Sequence, residues 1–229
     1  MIARWIQKKG HDSLLIFFNG WGMDSRIADY LQYRTPASFS RDVLLCYDYR
    51  SPVLPPDVRA HIARYRDRNL VAWSLGVWAA HKTGLEGIER ALAINGTLNP
   101  VSSDEGIPPD IFRATLDNYN EENKNRFMRR MCGSTPLFRR FLGVAPERCA
   151  PDQKEELASI LQEVSREKAA VVSSWSYTHA LVGGRDMIFP AKNQEYAWRD
   201  LGPLVVDEVP HFPFFTFSNW QEVCSCMEE

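Results

Sequence analysis

A serine, an aspartate and a histidine stand in this chain where acyl transfer could be run. Ser74 lies in Ala72-Trp73-Ser74-Leu75-Gly76, a small-x-Ser-x-Gly pentapeptide. Where such a pentapeptide joins a strand to a helix, the serine occupies a sharp, strained turn. The small residues two places before and after it let strand and helix come close. Asn19-Gly20-Trp21-Gly22 follows an early apolar run. A glycine-containing loop there can aim a backbone N–H at a developing oxyanion, and the residue after the serine supplies a second, so the two candidate donors are Trp21 and Leu75. Asp186 follows a glycine pair, Gly183-Gly184, and precedes Pro190; His211 comes shortly after another apolar run. Each pattern has a plainer reading, such as a capping serine or an ordinary glycine turn. The order Ser74, Asp186, His211 is the chain order of a nucleophile, acid and base set on an α/β sheet, and the agreement of four signals is what carries the assignment.

These residues need strands that end beside one another. Residues 14–18, 43–47, 69–73, 89–94, 179–184 and 204–209 read as strands, mostly continuous apolar runs, as expected when both faces of a sheet are covered. Between them, helical character is expected from Ser25 to about 33, from Pro56 to about 65, over 75–81, over 190–198, and from 214 onward. Strands alternating with helices predict a mostly parallel sheet with right-handed crossovers, hence an α/β fold. Ser74, Asp186 and His211 each fall at a strand exit, the edge where open α/β sheets build their sites. The other histidines are placed worse: His61 and His81 fall on helical stretches, His179 lies inside a strand, and His11 precedes the first buried strand. From 99 to 168 the alternation stops and the stretch reads as charged helix. This divides the chain into core segments 1–98 and 169–229 around a helical lid insertion.

Composition narrows the classes further. Among 229 residues, 27 Lys and Arg nearly balance 29 Asp and Glu, giving a net charge of −2, and 45% of residues are hydrophobic. A general nucleic-acid binder would be strongly basic and a disordered chain poor in apolar residues. The cysteines, Cys46, Cys132, Cys149, Cys224 and Cys226, are odd in number with no metal-ligand spacing. They are expected as unpaired thiols in a reducing compartment, and the cytoplasm is the expected location. The apolar run near the N-terminus is too short to span a bilayer, so no membrane association is expected.

Several stretches together resemble the α/β-hydrolase esterases of biotin synthesis, specifically the BioG type of pimeloyl-[acyl-carrier protein] methyl ester esterase. They are Phe18-Asn19-Gly20-Trp21-Gly22, Cys46-Tyr47-Asp48-Tyr49, Val71 through Trp78, Ile94-Asn95-Gly96-Thr97, Gly106-Ile107-Pro108 and Arg129-Arg130-Met131-Cys132-Gly133. Ala72 in place of the first motif glycine, and Asn19 where many hydrolases carry histidine, fit this family. The resemblance implies an α/β-hydrolase fold, Ser74 as nucleophile, His211 as base and Asp186 as acid, with Asp207 and Asp48 as the alternatives for the acid. It implies hydrolysis of a methyl ester without metal or organic cofactor. A thioesterase acting on the same carrier, or a binding module without catalysis, would share the fold.

The near-neutral charge hides a division. Residues 124–148 carry seven basic side chains and one acid, a net of +6, leaving 20 basic and 28 acidic residues, or −8, elsewhere. Arg126, Arg129, Arg130, Arg139 and Arg140 are expected as a docking face for an acidic partner, and the resemblance makes that partner an acyl carrier protein. Phe127, Met128, Met131, Leu137, Phe138 and Phe141 interleave with them, either as the buried face of the helices or as the lining of an acyl channel.

Overall fold

A computed structural model describes residues 1–166 and 174–228. In chain order the elements are β1 (Ile2–Gln7), β2 (Ser13–Phe18), α1 (Arg26–Arg34), β3 (Arg41–Tyr47), α2 (Pro56–Ile62), β4 (Asp67–Trp73), α3 (Leu75–Lys82) and β5 (Arg90–Ile94). Four helices follow, α4 (Pro109–Asn118), α5 (Glu121–Cys132), α6 (Thr135–Phe141) and α7 (Ala150–Arg166). The chain then returns through β6 (His179–Arg185), α8 (Ala191–Ala197), β7 (Leu204–Pro210) and α9 (Trp220–Ser225).

The seven strands form one sheet in the order β1-β3-β2-β4-β5-β6-β7. All neighbours are parallel except β1 against β3. Every residue from Leu14 to Phe18 and from Leu70 to Trp73 is buried, which is why those strands read as unbroken apolar runs. Phe18 is level with both Cys46 and Ala72, so β2, β3 and β4 release their loops at the same edge.

The structure departs from expectation at a few elements. Strand β1 is absent from the sequence reading, because an edge strand with alternating exposure needs no apolar run. Helix α2 ends at Ile62 rather than near 65, since β4 starts two residues earlier than expected. The closing helix begins at Trp220 rather than 214. Residues 213–217 form a turn that seats the Phe214 ring against Phe17 and Trp73, and Asn219 caps the helix by accepting from Glu222 N–H at 2.9 Å. Between β5 and β6 the described residues carry α4 to α7 and a single parallel bridge, Val101 with Ile107. The expected insertion boundary at 168 lies outside the described residues.

The turn between α5 and α6 follows from three side chains. Asn120 caps α5, Gly133 ends it in the left-handed region at φ 71°, and Ser134 caps α6 at once. Among the described residues no helix is long and apolar enough to cross a membrane.

Candidate active site

Ser74 sits between β4 and α3 with φ 61° and ψ −131°, a region that costs a non-glycine residue strain. Close packing on three sides holds it there. Ser74 N–H donates to Ile94 O at 2.9 Å. A Cβ on Gly76 would stand 2.4 Å from Asn19 O, and one on Gly96 would stand 2.2 Å from Ser74 O. Only glycine lets β2, the elbow and the β5 exit converge this tightly.

His211 Nε2 lies 2.9 Å from Ser74 Oγ, and His211 Nδ1 lies 2.8 Å from Asp186 Oδ2. In the tautomer whose Nε2 accepts the serine proton, Nδ1–H donates to Asp186. The imidazole is fixed through its backbone and its ring. Trp73 Nε1–H and Asn95 Nδ2 both donate to His211 O, at 2.8 and 3.0 Å, and Phe189 lies parallel to the ring at 6.0 Å between centroids. Asp186 is fixed by Ile188 and Phe189 N–H on Oδ1, at 2.7 and 2.9 Å, and by Gln194 Nε2 on Oδ2 at 3.0 Å. Both side chains of the pair are buried. A hydroxyl, imidazole and carboxylate in such a line can carry a proton off an attacking serine and hand it to a leaving group.

The alternative acids lie elsewhere. Asp207 is exposed on the edge strand β7. Asp48 pairs with Arg50 at 2.7 Å and lies 3.6 Å from Arg148. Burial works to raise the Asp48 carboxyl, but the Arg50 hydrogen bonds and the Arg148 guanidinium outweigh it and hold it below its ordinary range.

Trp21, Ser74 and Leu75 line one apolar pocket. Neither the Trp21 nor the Leu75 backbone N–H has an acceptor among the described residues, so both are free for an oxyanion. The pocket roof comes from α4, α5 and α7 through Phe112, Phe127 and Leu157. Of the interleaved apolar residues, Phe127 lines this pocket, while Met128, Met131, Phe138 and Phe141 are buried in the core. Arg126, Arg129, Arg130, Arg139 and Arg140 are all exposed on α5 and α6. Arg130 reaches both the pocket and an outer groove between α4 and α5 that Arg126 also lines. Arg140 is held by Tyr30 Oη at 2.8 Å and packs on the Phe215 ring. Arg148, counted in the basic block, is not part of that surface: it is turned inward onto Asp152 and Glu156, each at 2.6 Å.

Sequence reasoning passed over Gln194, which braces Asp186, and Gln153 and Glu156, which brace the Trp21 loop. An isolated Gln or Glu in a helical stretch carries no signal of its partner. Asn95 and Gly96 stand out in the sequence, but the packing and hydrogen bonds that explain them do not.

The comparisons with known proteins bear on the fold and the family. A hydrolase from Pseudomonas aeruginosa superposes with a TM-score of 0.65 at 16% identity, covering 99% of this chain and 94% of that one, so the fold is α/β-hydrolase-like. The crystal structure of BioG from Haemophilus influenzae superposes with a TM-score of 0.85 at 30% identity, covering 99% of this chain and all of that one. A malonyl-[acyl-carrier protein] O-methyltransferase of Bacteroides fragilis is 40% identical over 188 residues; the match takes in 81% of this chain and only 36% of that protein's length. Residues 1–223 match the family described as pimeloyl-ACP methyl esterase BioG, and with a relative this similar over its whole length the chain belongs to the BioG family.

Proposed function

We propose that the chain is a serine carboxylesterase that hydrolyses the methyl ester of pimeloyl-[acyl-carrier protein]. The observation that carries this is the hydrogen-bonded line Asp186–His211–Ser74, set at a strained elbow beneath an apolar pocket. Ser74 Oγ attacks the ester carbonyl while His211 Nε2 takes its proton, and Asp186 stabilises the imidazolium. The N–H groups of Trp21 and Leu75 hold the oxyanion, an effect worth about 3–4 kcal/mol per donor. As the tetrahedral centre collapses, His211 gives the proton to methoxide and methanol leaves. Water, deprotonated by His211, then attacks the acyl-serine; the bond to Ser74 Oγ breaks, His211 returns the proton to Oγ, and the pimeloyl carboxylate is released. No step calls on a metal or organic cofactor.

Residues 99–168 serve as the lid in this reading. Arg126, Arg129, Arg130, Arg139 and Arg140 present positive charge beside the pocket mouth to an acidic carrier, whose phosphate-bearing arm enters along the outer groove. The reaction belongs in the cytoplasm. The test is to incubate the chain with the carrier-linked methyl ester and identify the product, alongside fluorophosphonate labelling. Methanol release, labelling of Ser74, and loss of both in a folded Ser74→Ala variant are expected. Release of the carrier thiol instead would make the chain a thioesterase, and absence of labelling would make it a binding module.

A further inference from the structure

Helix α7 grips the 20–23 loop through hydrogen bonds that the proposed reaction does not use. Trp21 Nε1–H donates to Gln153 O at 2.7 Å, Gln153 Nε2 donates to Gly22 O at 2.7 Å, and Gly22 N–H donates to Glu156 Oε2 at 3.2 Å. Just ahead of α7, Arg148 donates to Glu156 at 2.6 Å and to Met23 O at 3.3 Å. Tyr119 Oη–H donates to Gln153 Oε1 at 3.0 Å, and Glu156 Oε1 accepts from Tyr49 N–H at 2.8 Å. Gln153 and Glu156 are completely buried. Two buried polar side chains on an otherwise apolar helix face are costly unless every polar atom is matched, and here the loop supplies much of the matching.

The loop is shaped to this grip. Gly22 takes φ 72°, and a Cβ there would stand 3.1 Å from Gln153 Nε2. Among the described residues the Trp21 N–H has no acceptor, so its direction is set by the loop around it: the Gly20 C=O of its own peptide plane accepts from Met23 N–H at 3.3 Å, and the Trp21 indole N–H and the N–H and C=O of Gly22 are held by α7. The same helix carries Leu157, which lines the pocket. We propose that Gln153 and Glu156 are positioning residues that aim the Trp21 N–H at the oxyanion, so that the helix walling the acyl pocket also sets the electrostatics of the reaction. This rests on the reading of Ser74 as nucleophile and Trp21 as donor.

A misplacement of about 1 Å at the reacting centre can cost about 10²-fold, the scale of deleting an oxyanion donor. The experiment compares wild type, Gln153→Met and Tyr119→Phe on a small soluble ester and on a trifluoromethyl ketone, which forms a tetrahedral adduct with an active serine. Gln153→Met keeps side-chain length and removes both the donor to Gly22 O and the acceptor of Tyr119 Oη–H; Tyr119→Phe removes only the hydroxyl that orients Gln153. The expected result is a kcat lowered about tenfold or more in Gln153→Met, with KM within about twofold and ketone affinity weakened by the same factor as kcat. Tyr119→Phe should give the same split at smaller size, and it decides alone if Gln153→Met does not fold. Unchanged kcat and ketone affinity, or a rise in KM with kcat preserved, overturns the proposal. Failure of the ketone to bind wild type at all refutes the serine mechanism instead.

Discussion

Replacing Asp186 by asparagine keeps shape and alters one proton. Two backbone N–H groups, from Ile188 and Phe189, converge on Oδ1 and cannot be turned away. An asparagine carbonyl must therefore take that place, which puts its NH2 where Oδ2 now faces His211 Nδ1 at 2.8 Å. Nδ1 then has to accept, the imidazole proton moves to Nε2, and Nε2–H points at Ser74 Oγ, 2.9 Å away. A protonated Nε2 cannot take the serine proton. The expected loss is about 10⁴-fold in kcat, as in other enzymes whose triad carboxylate is made an amide. At ~1.4 kcal/mol per decade this is about 5.5 kcal/mol of barrier. Gln194 Nε2 also loses its carboxylate acceptor at 3.0 Å, so stability should fall by about 1–3 kcal/mol. The assay is kcat on a p-nitrophenyl ester with thermal unfolding of the same preparation, and the exposed Asp207→Asn as control. A folded Asp186→Asn variant that loses less than about tenfold would refute the argument, and the acid would have to be sought elsewhere.

Three further outcomes are expected. Gly76→Ala puts a methyl 2.4 Å from Asn19 O, forcing apart the segments that carry the two N–H donors; kcat should fall at least about tenfold with a stability loss of about 1–3 kcal/mol, and wild-type kcat would show that this approach is not needed. Replacing Arg129, Arg130, Arg139 and Arg140 together should raise KM for the carrier-linked ester at least about tenfold while leaving KM for a small ester nearly unchanged; equal effects on both substrates would rule out docking. Asp42 is buried on β3, and although burial works to raise its carboxyl, hydrogen bonds from Lys9 N–H, Gly10 N–H and Tyr65 Oη–H hold it below its ordinary value. Its contribution is therefore complete above the ordinary carboxyl pKa of about 3.9 and lost as pH falls through the lower folded value. Wild type should lose more stability than Asp42→Asn between about pH 5 and 2, and parallel acid-unfolding curves would contradict this.

Much of the fold can be read from local pattern because each inner strand is buried on both faces and so must be apolar along its whole length. Leu14 to Phe18 and Leu70 to Trp73 are of this kind. Strand β1 is not, since an edge strand mixes Arg4 and Trp5 without penalty, and the late start of α9 depends on where Phe214 finds room. In the site, Ser74 is legible because its strained turn demands small neighbours close by in sequence.

Legible in the chain alone are the order of the inner strands and the helices between them, the elbow at Ser74, the glycine loop at 20–22, and the chain order of serine, aspartate and histidine. These are local requirements of backbone and composition. The folded chain alone shows that Asp186 rather than Asp48 or Asp207 meets His211, that Arg148 turns inward while Arg126 and Arg130 face the groove, and that Gln153 and Glu156 hold the loop of Trp21. The pairings of Asp186 with His211 and of Gly22 with Gln153 and Glu156 join residues from 25 to 134 positions apart, and a side chain's charge or amide does not declare its partner until the sheet and helices bring the two within hydrogen-bond reach.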